Sequence, residues 1–236
     1  RTVEVSGTAK SSMRGRRQIQ RNDGSDDATN TVSAILRIRP LLPSETERGE
    51  TSNANALPDG QTVMVTAQMS QNRKIEAQQF RLDRVFPSIT SQRDFFHRSG
   101  VESFCDAALE GMAATVFCFG QTGSGKTYTM SGPALTIESD EGTPMTEVQL
   151  GEHAGLQLRA SQYMTHVAEE LNTASSSSSS LGPSIDASGA YRPITIKASY
   201  IEIYNESVND LLNETENLRL RWSQAGQCFF IEGLMV

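Results

Sequence analysis

The eight residues Gly120-Gln121-Thr122-Gly123-Ser124-Gly125-Lys126-Thr127 constrain the fold of this chain more than any other feature. Glycines at the first and sixth positions, followed by lysine and a hydroxyl residue, form the pattern of a nucleotide phosphate loop. Glycine lets a backbone close around an anion through dihedrals denied to other residues. The curled backbone then turns several N–H groups toward phosphate oxygens. Lys126 sets a full charge against β- and γ-phosphates, and Thr127 offers its hydroxyl to Mg²⁺. The context agrees. Residues 113–119, Ala-Ala-Thr-Val-Phe-Cys-Phe, are a continuous apolar run and read as a strand buried on both faces. A helix is expected from Lys126 or just before it, with its positive end toward the ligand.

The rest of the chain alternates strand and helix patterns. Residues 32–39 read as a strand rich in branched side chains, closed by Pro40. Strands are expected at 62–66 and near 79–82, and a helix over 91–110 that Gly100 weakens and Gly111 stops. Leu156, Ala160, Tyr163, Val167 and Leu171 mark one face of a second long helix. A strong strand is expected over 193–204. A hairpin follows, with Leu218, Leu220 and Trp222 on one arm and Cys228–Glu232 on the other. This alternation predicts an α/β class. Residues 1–31, basic and then acidic, show no period and predict a disordered extension. The domain then runs over 32–236. Two flexible surface loops are expected within it, 131–154 and 172–192, the second around the six-serine run Ser175–Ser180.

Charge and cysteine usage narrow the function. A net charge of −7 argues against nucleic acid as the main partner. Cys105, Cys118 and Cys228 fall in no metal spacing and read as reduced thiols of an intracellular protein. His97, His153 and His166 pair with none of them, so no zinc site is expected. No apolar run is long enough for membrane insertion.

Four segments in order resemble the kinesin motor domain. They are Leu36–Leu41, Leu82–Phe86, Phe117–Met130, and Ser199–Glu206 followed by Asp210–Leu212. The resemblance covers 32–236. It implies a P-loop NTPase-type head with a central, mostly β sheet flanked by helices. The chain would correspond to its N-terminal part, incomplete at the C-terminal side; that the chain starts at Arg1 rather than Met also reads as a fragment. The resemblance further implies that Gly120 through Thr127 hold ATP or ADP, with Mg²⁺ on the Thr127 hydroxyl. Arg37, Arg39 and Pro40 would border the adenine and Tyr128 its other side, as a guanidinium or ring against a base is suited to do. The 131–154 loop would lie beside the nucleotide pocket. The 199–206 strand would belong to the central sheet, with Tyr200 and Ile203 packed and Glu202 not catalytic.

Microtubules are the implied partner, and the cytoplasmic microtubule cytoskeleton the implied location. The 218–232 hairpin corresponds to a region that reaches toward tubulin. Arg219 and Arg221 there either meet acidic tubulin or form a plain exposed face. Two family patterns are absent from residues 1–236, Asn-x-x-Ser-Ser-Arg-Ser-His and Asp-Leu-Ala-Gly-Ser-Glu. These switches position water and sense the γ-phosphate, so no catalytic residue beyond Lys126 is expected. The parent protein is expected to be a microtubule-stimulated ATPase motor, and this polypeptide alone poorly active or inactive. Two alternatives stay open. One is a non-motor, microtubule-associated nucleotide-binding module that has lost hydrolysis. The other is a different phosphate-loop enzyme such as a small-molecule kinase, which the other three segments disfavour.

Overall fold

The computed structural model describes residues 2–5, 32–68, 75–133, 149–177 and 193–235. In chain order the elements begin with β1 (Thr2–Val5), β2 (Ile35–Arg37), α1 (Pro43–Glu47), β3 (Ala54–Ala56), β4 (Thr62–Gln68), β5 (Ile75–Arg81) and β6 (Arg84–Phe86). Helices α2 (Gln92–Ser99), α3 (Val101–Leu109), α4 (Lys126–Met130) and α5 (Leu156–Ser177) follow. The chain then forms β7 (Ile196–Ser199), β8 (Ile201–Tyr204), β9 (Ser207–Asp210), β10 (Thr215–Ser223) and β11 (Cys228–Glu232). Two compact units result. One holds residues 13–105 and 114–163, and the other residues 1–12, 106–113 and 164–236.

In the first unit β2 and β6 pair in parallel, Ile35 opposite Arg84 and Arg37 opposite Phe86, and Ile38 N–H extends the ladder to the Phe86 carbonyl at 2.9 Å. Beside this pair in sequence, β3, β4 and β5 make an antiparallel meander. The expected strands at 62–66 and 79–82 are its second and third members. Asp59 closes the turn into β4: its carboxylate accepts from the Thr62 hydroxyl and from the Gln61 and Thr62 amides, which together hold its pKa below the ordinary value. The expected single helix over 91–110 is two. Ser91 caps α2 by accepting from Asp94 N–H, and Gly100, at φ 90°, ends it in the left-handed region before α3 starts. The core gathers Val63, Val85, Phe86, Phe95, Phe96, Val101 and Cys105. Phe86 meets Phe95 edge to face at 4.8 Å, a pair worth about 0.5–1.5 kcal/mol beyond its buried area.

In the second unit β8, β9, β10 and β11 form an antiparallel sheet in sequence order, with Ser223 opposite Cys228 across the expected hairpin turn. Asn205 and Glu206, both at positive φ, make the tight β8–β9 turn. Asp210 is buried, 1 % exposed, and its carboxylate accepts from the amides of Met235 (2.9 Å), Leu212 (2.9 Å) and Asn213 (3.3 Å). Those amides, Met235 first, hold its pKa below the ordinary value against the opposing effect of burial.

The α/β class stands, with the described strands divided among four small sheets. Five further expectations change. Residues 113–119 form no strand: the run has no assigned secondary structure and no described strand partner, with Phe117 78 % and Phe119 96 % exposed. An apolar run becomes a buried strand only when neighbours cover it, and no described strand pairs with this one. The strand over 193–204 breaks at Tyr200, with β7 pairing β1 and β8 pairing β9. Ile203 is 71 % exposed rather than packed, because nothing among the described residues covers that face of a single-layer sheet.

The expected disordered extension contains β1, which pairs antiparallel with β7, Thr2 opposite Ser199. Three of its four residues are β-branched and favour extended backbone, and β7 presents an edge for them. The rest of 1–31 lies outside the described residues. Finally, α5 continues to Ser177, into the expected 172–192 loop, because serine costs a helix only modestly once a long helix is nucleated. Residues 178–192, and 134–148 of the other expected loop, lie outside the described residues. The described ends of the latter carry only turns.

Candidate functional site

The segment 120–125 is irregular, and α4 starts at Lys126 as expected. Gly123 at φ 79° and Gly125 at φ 94° take the left-handed backbone that turns the chain into the helix. The Ser124 amide donates to the Gln121 carbonyl at 3.2 Å, so the loop curls on itself. Lys126 folds back over it: Nζ donates to the Gly120 and Gln121 carbonyls, each at 2.8 Å. One of its three ammonium protons is left for another acceptor. Thr127 follows on the first turn of α4 and is exposed. A hydroxyl there suits a magnesium ion that draws most of its ligands from phosphate and water. Among the described residues, no group of three or more His, Cys, Asp or Glu side chains could hold a metal by itself.

Arg37 and Tyr128, which the resemblance sets on opposite sides of the adenine, lie against one another. The half-buried guanidinium lies 5.5 Å from the centre of the Tyr128 ring and 4.8 Å from that of Phe95. Its Nη1 donates to Gln92 Oε1 (2.6 Å) and Thr129 Oγ1 (3.2 Å), and its Nη2 to the Thr90 carbonyl (3.2 Å). Burial lowers the Arg37 pKa, partly offset by Tyr128 and Cys118. Arg39 goes elsewhere. It forms a two-pronged ion pair with Glu45, Nη2 to Oε1 at 2.5 Å and Nη1 to Oε2 at 2.7 Å, while its stem lies along Gly125. Glu45 Oε2 also accepts the Leu42 amide at the start of α1 (2.8 Å), and the Arg39 pair above all brings the Glu45 carboxyl down to about 2. Pro40 is exposed at the end of the strand.

Sequence reasoning missed four members of this cluster: Gln92, Thr129, His153 and Glu45. Gln92 is 2 % exposed; besides accepting from Arg37, its Nε2 donates to the backbone carbonyls of Tyr128 (2.6 Å) and His153 (3.3 Å). The signal was present, since Gln92 lies three and four residues before Phe95 and Phe96 on the apolar face of its helix. His153 Nδ1 sits 3.1 Å from the Tyr128 hydroxyl. Cys118, half-buried beside the loop, has its thiol pKa raised by burial, with Arg37 and Lys126 pulling the other way, so it stays protonated at neutral pH.

The loop at 131–154 leaves and returns at one point. A Cβ on Gly155 would lie 2.5 Å from the Met130 carbonyl oxygen and 2.6 Å from the Gly132 nitrogen. The Gly155 amide donates to the Ser131 carbonyl at 3.2 Å. Two glycines thus let two stretches of backbone touch.

The sequence matches the family described as the kinesin motor domain over residues 37–236. It is 32% identical over 215 residues to the kinesin-like protein KIF12 of Mus musculus, covering 90% of this chain and 28% of that protein. To the kinesin heavy chain of Syncephalastrum racemosum it is 30% identical over 207 residues, covering 87% of this chain and 18% of that one. A solved structure of a fast kinesin, described for its ATPase mechanism and interactions with microtubules, superposes with a TM-score of 0.57 at 25% identity. That match covers 87% of this chain and 47% of the solved one. The chain therefore spans less than a third of these two relatives and less than half of the solved head.

Proposed function

The chain belongs to the kinesin motor-domain family, and from that premise we propose that residues 120–127 bind the phosphates of ATP or ADP as its magnesium complex. The observation that carries this reading is the curled segment 120–125, held by Lys126 across its own carbonyls, at the mouth of α4. Backbone amides of the loop face the anion, and the free ammonium proton of Lys126 meets a phosphate oxygen. The Thr127 hydroxyl is the protein's ligand to Mg²⁺, which neutralises phosphate charge when bound. The adenine lies against the exposed part of the Tyr128 ring, with Arg37 backing that ring, Pro40 at the edge and Arg39 contributing its stem rather than its charge.

The longer protein of which such a head is part couples ATP hydrolysis to movement along microtubules, and works on the cytoplasmic microtubule cytoskeleton. The relatives support this through their names and through the described subject of the solved fast kinesin. Residues 1–236 alone lack both switch patterns, so nothing in them orients an attacking water. Their turnover is expected to be slow, with or without microtubules.

Titration calorimetry tests the binding claim. Lys126→Ala removes a charge-assisted bond to phosphate and is expected to weaken magnesium ADP at least about tenfold. No magnesium-dependent affinity in the folded wild type, or none lost in Lys126→Ala, sinks the reading. A steady-state assay tests the second claim, and brisk microtubule-stimulated hydrolysis by the 236-residue chain overturns it.

A further inference from the structure

We propose that Gln92 is a positioning residue for adenine: it fixes the Arg37 guanidinium relative to Tyr128, and thereby sets affinity for the base without affecting affinity for the phosphates. The inference rests on the assignment of Arg37 and Tyr128 to the base.

Gln92 is 2 % exposed and its amide is engaged at both ends. The oxygen accepts from Arg37 Nη1 at 2.6 Å, and the nitrogen donates to the carbonyls of Tyr128 at 2.6 Å and His153 at 3.3 Å. Its orientation follows from those partners, since a guanidinium only donates and two carbonyls only accept. One side chain at the first turn of α2 therefore joins β2, α4 and the residue that closes the 131–154 segment. Arg37 depends on it. Among the described residues no carboxylate pairs with Arg37, and its remaining acceptors, Thr129 Oγ1 and the Thr90 carbonyl, are both longer at 3.2 Å. A half-buried cation held only by neutral acceptors and two aromatic faces shifts when its shortest bond is removed. The Tyr128 ring thereby loses the guanidinium it stacks on, while its backbone stays held within α4 and by the Gly132 amide at 2.9 Å.

The phosphate loop does not share this dependence. Lys126 is held by the Gly120 and Gln121 carbonyls, and neither contacts Gln92 through a hydrogen bond. A ligand with phosphates and no base thus separates a positioning role from a general structural one.

The test is calorimetry on the whole chain with magnesium ADP and with magnesium tripolyphosphate, for wild type, Gln92→Met and Gln92→Glu, after circular dichroism shows that each is folded. Methionine keeps the volume and removes every polar contact. ADP is expected to weaken about tenfold while tripolyphosphate is unchanged. Glutamate keeps an acceptor for Arg37 but loses the donor to both carbonyls, so a smaller loss confined to ADP is expected; this variant decides alone if Gln92→Met does not fold. Unchanged ADP affinity, or equal losses for both ligands, overturns the proposal. A wild type that binds tripolyphosphate as tightly as ADP removes the base corner and the proposal with it. A wild type that binds neither removes the phosphate-loop reading itself.

Discussion

Arg39 shows how one arginine can match a motif and still do something else. Its charge is held by Glu45, six residues on and across Pro40, brought back by the turn between β2 and α1 rather than by a helix or strand repeat. That is why the pair is not legible in the sequence, whereas the start of a helix at Lys126, signalled by an eight-residue pattern, is. Gln92 lay between these cases, visible as a polar intruder on an apolar face but without a stated partner until the fold supplied one. The Arg39–Glu45 pair has a pH signature. The Glu45 carboxyl falls from an ordinary 4.5 to about 2 in the folded chain. Its folded value lies below its unfolded one, so its contribution is complete above about pH 4.5 and lost as pH falls through about 2. Carbon-detected NMR titration of the glutamate carboxyls is expected to show this midpoint for Glu45, and a return toward the ordinary value in Arg39→Gln. An unshifted Glu45 in the wild type would remove the pair.

At the level of elements, local signals were the readable ones. The start of α4 at Lys126, the Gly100 weak point, the long α5 and the β10–β11 turn all depend on residues a few positions apart. Pairing partners come from far along the chain, and the errors gather there. Composition predicts a buried strand over 113–119, yet no described strand pairs with it, and the branched residues of 193–204 predict one strand, yet β7 and β8 pair with different strands. The contact between Gly132 and Gly155 belongs to the same class, since neither glycine announces the other. It makes a firm prediction. Gly155→Ala places a methyl carbon against backbone atoms that cannot rotate away, and is expected to destabilise the chain by about 1–3 kcal/mol. Urea unfolding measures it; a change below about 0.5 kcal/mol would mean that the backbone there yields easily.

For the molecule as a whole, the two units differ in how much apolar surface they bury. The unit holding the phosphate loop has most of the buried apolar side chains, while the sheet of β8 to β11 leaves Ile203, Leu220, Trp222, Phe229 and Phe230 exposed. Exposed aromatics also lead straight into the loop at Phe117 and Phe119. Exposed apolar side chains of this kind, on either unit, favour self-association. Phe117→Ser combined with Phe119→Ser is expected to lower the aggregated fraction in sedimentation velocity at matched concentration; an unchanged distribution would place the sticky surface elsewhere.

The glycine contact has one more consequence. Because Ser131 and Gly155 are joined by a hydrogen bond, the stretch between them is anchored like a bead on a closed clasp. Lengthening such a stretch adds closure entropy only logarithmically, about 0.6 kcal/mol per doubling. Sequence drift or a grafted peptide between those two anchors is therefore expected to leave α4 in place, which makes this a suitable place to tag or diversify the chain.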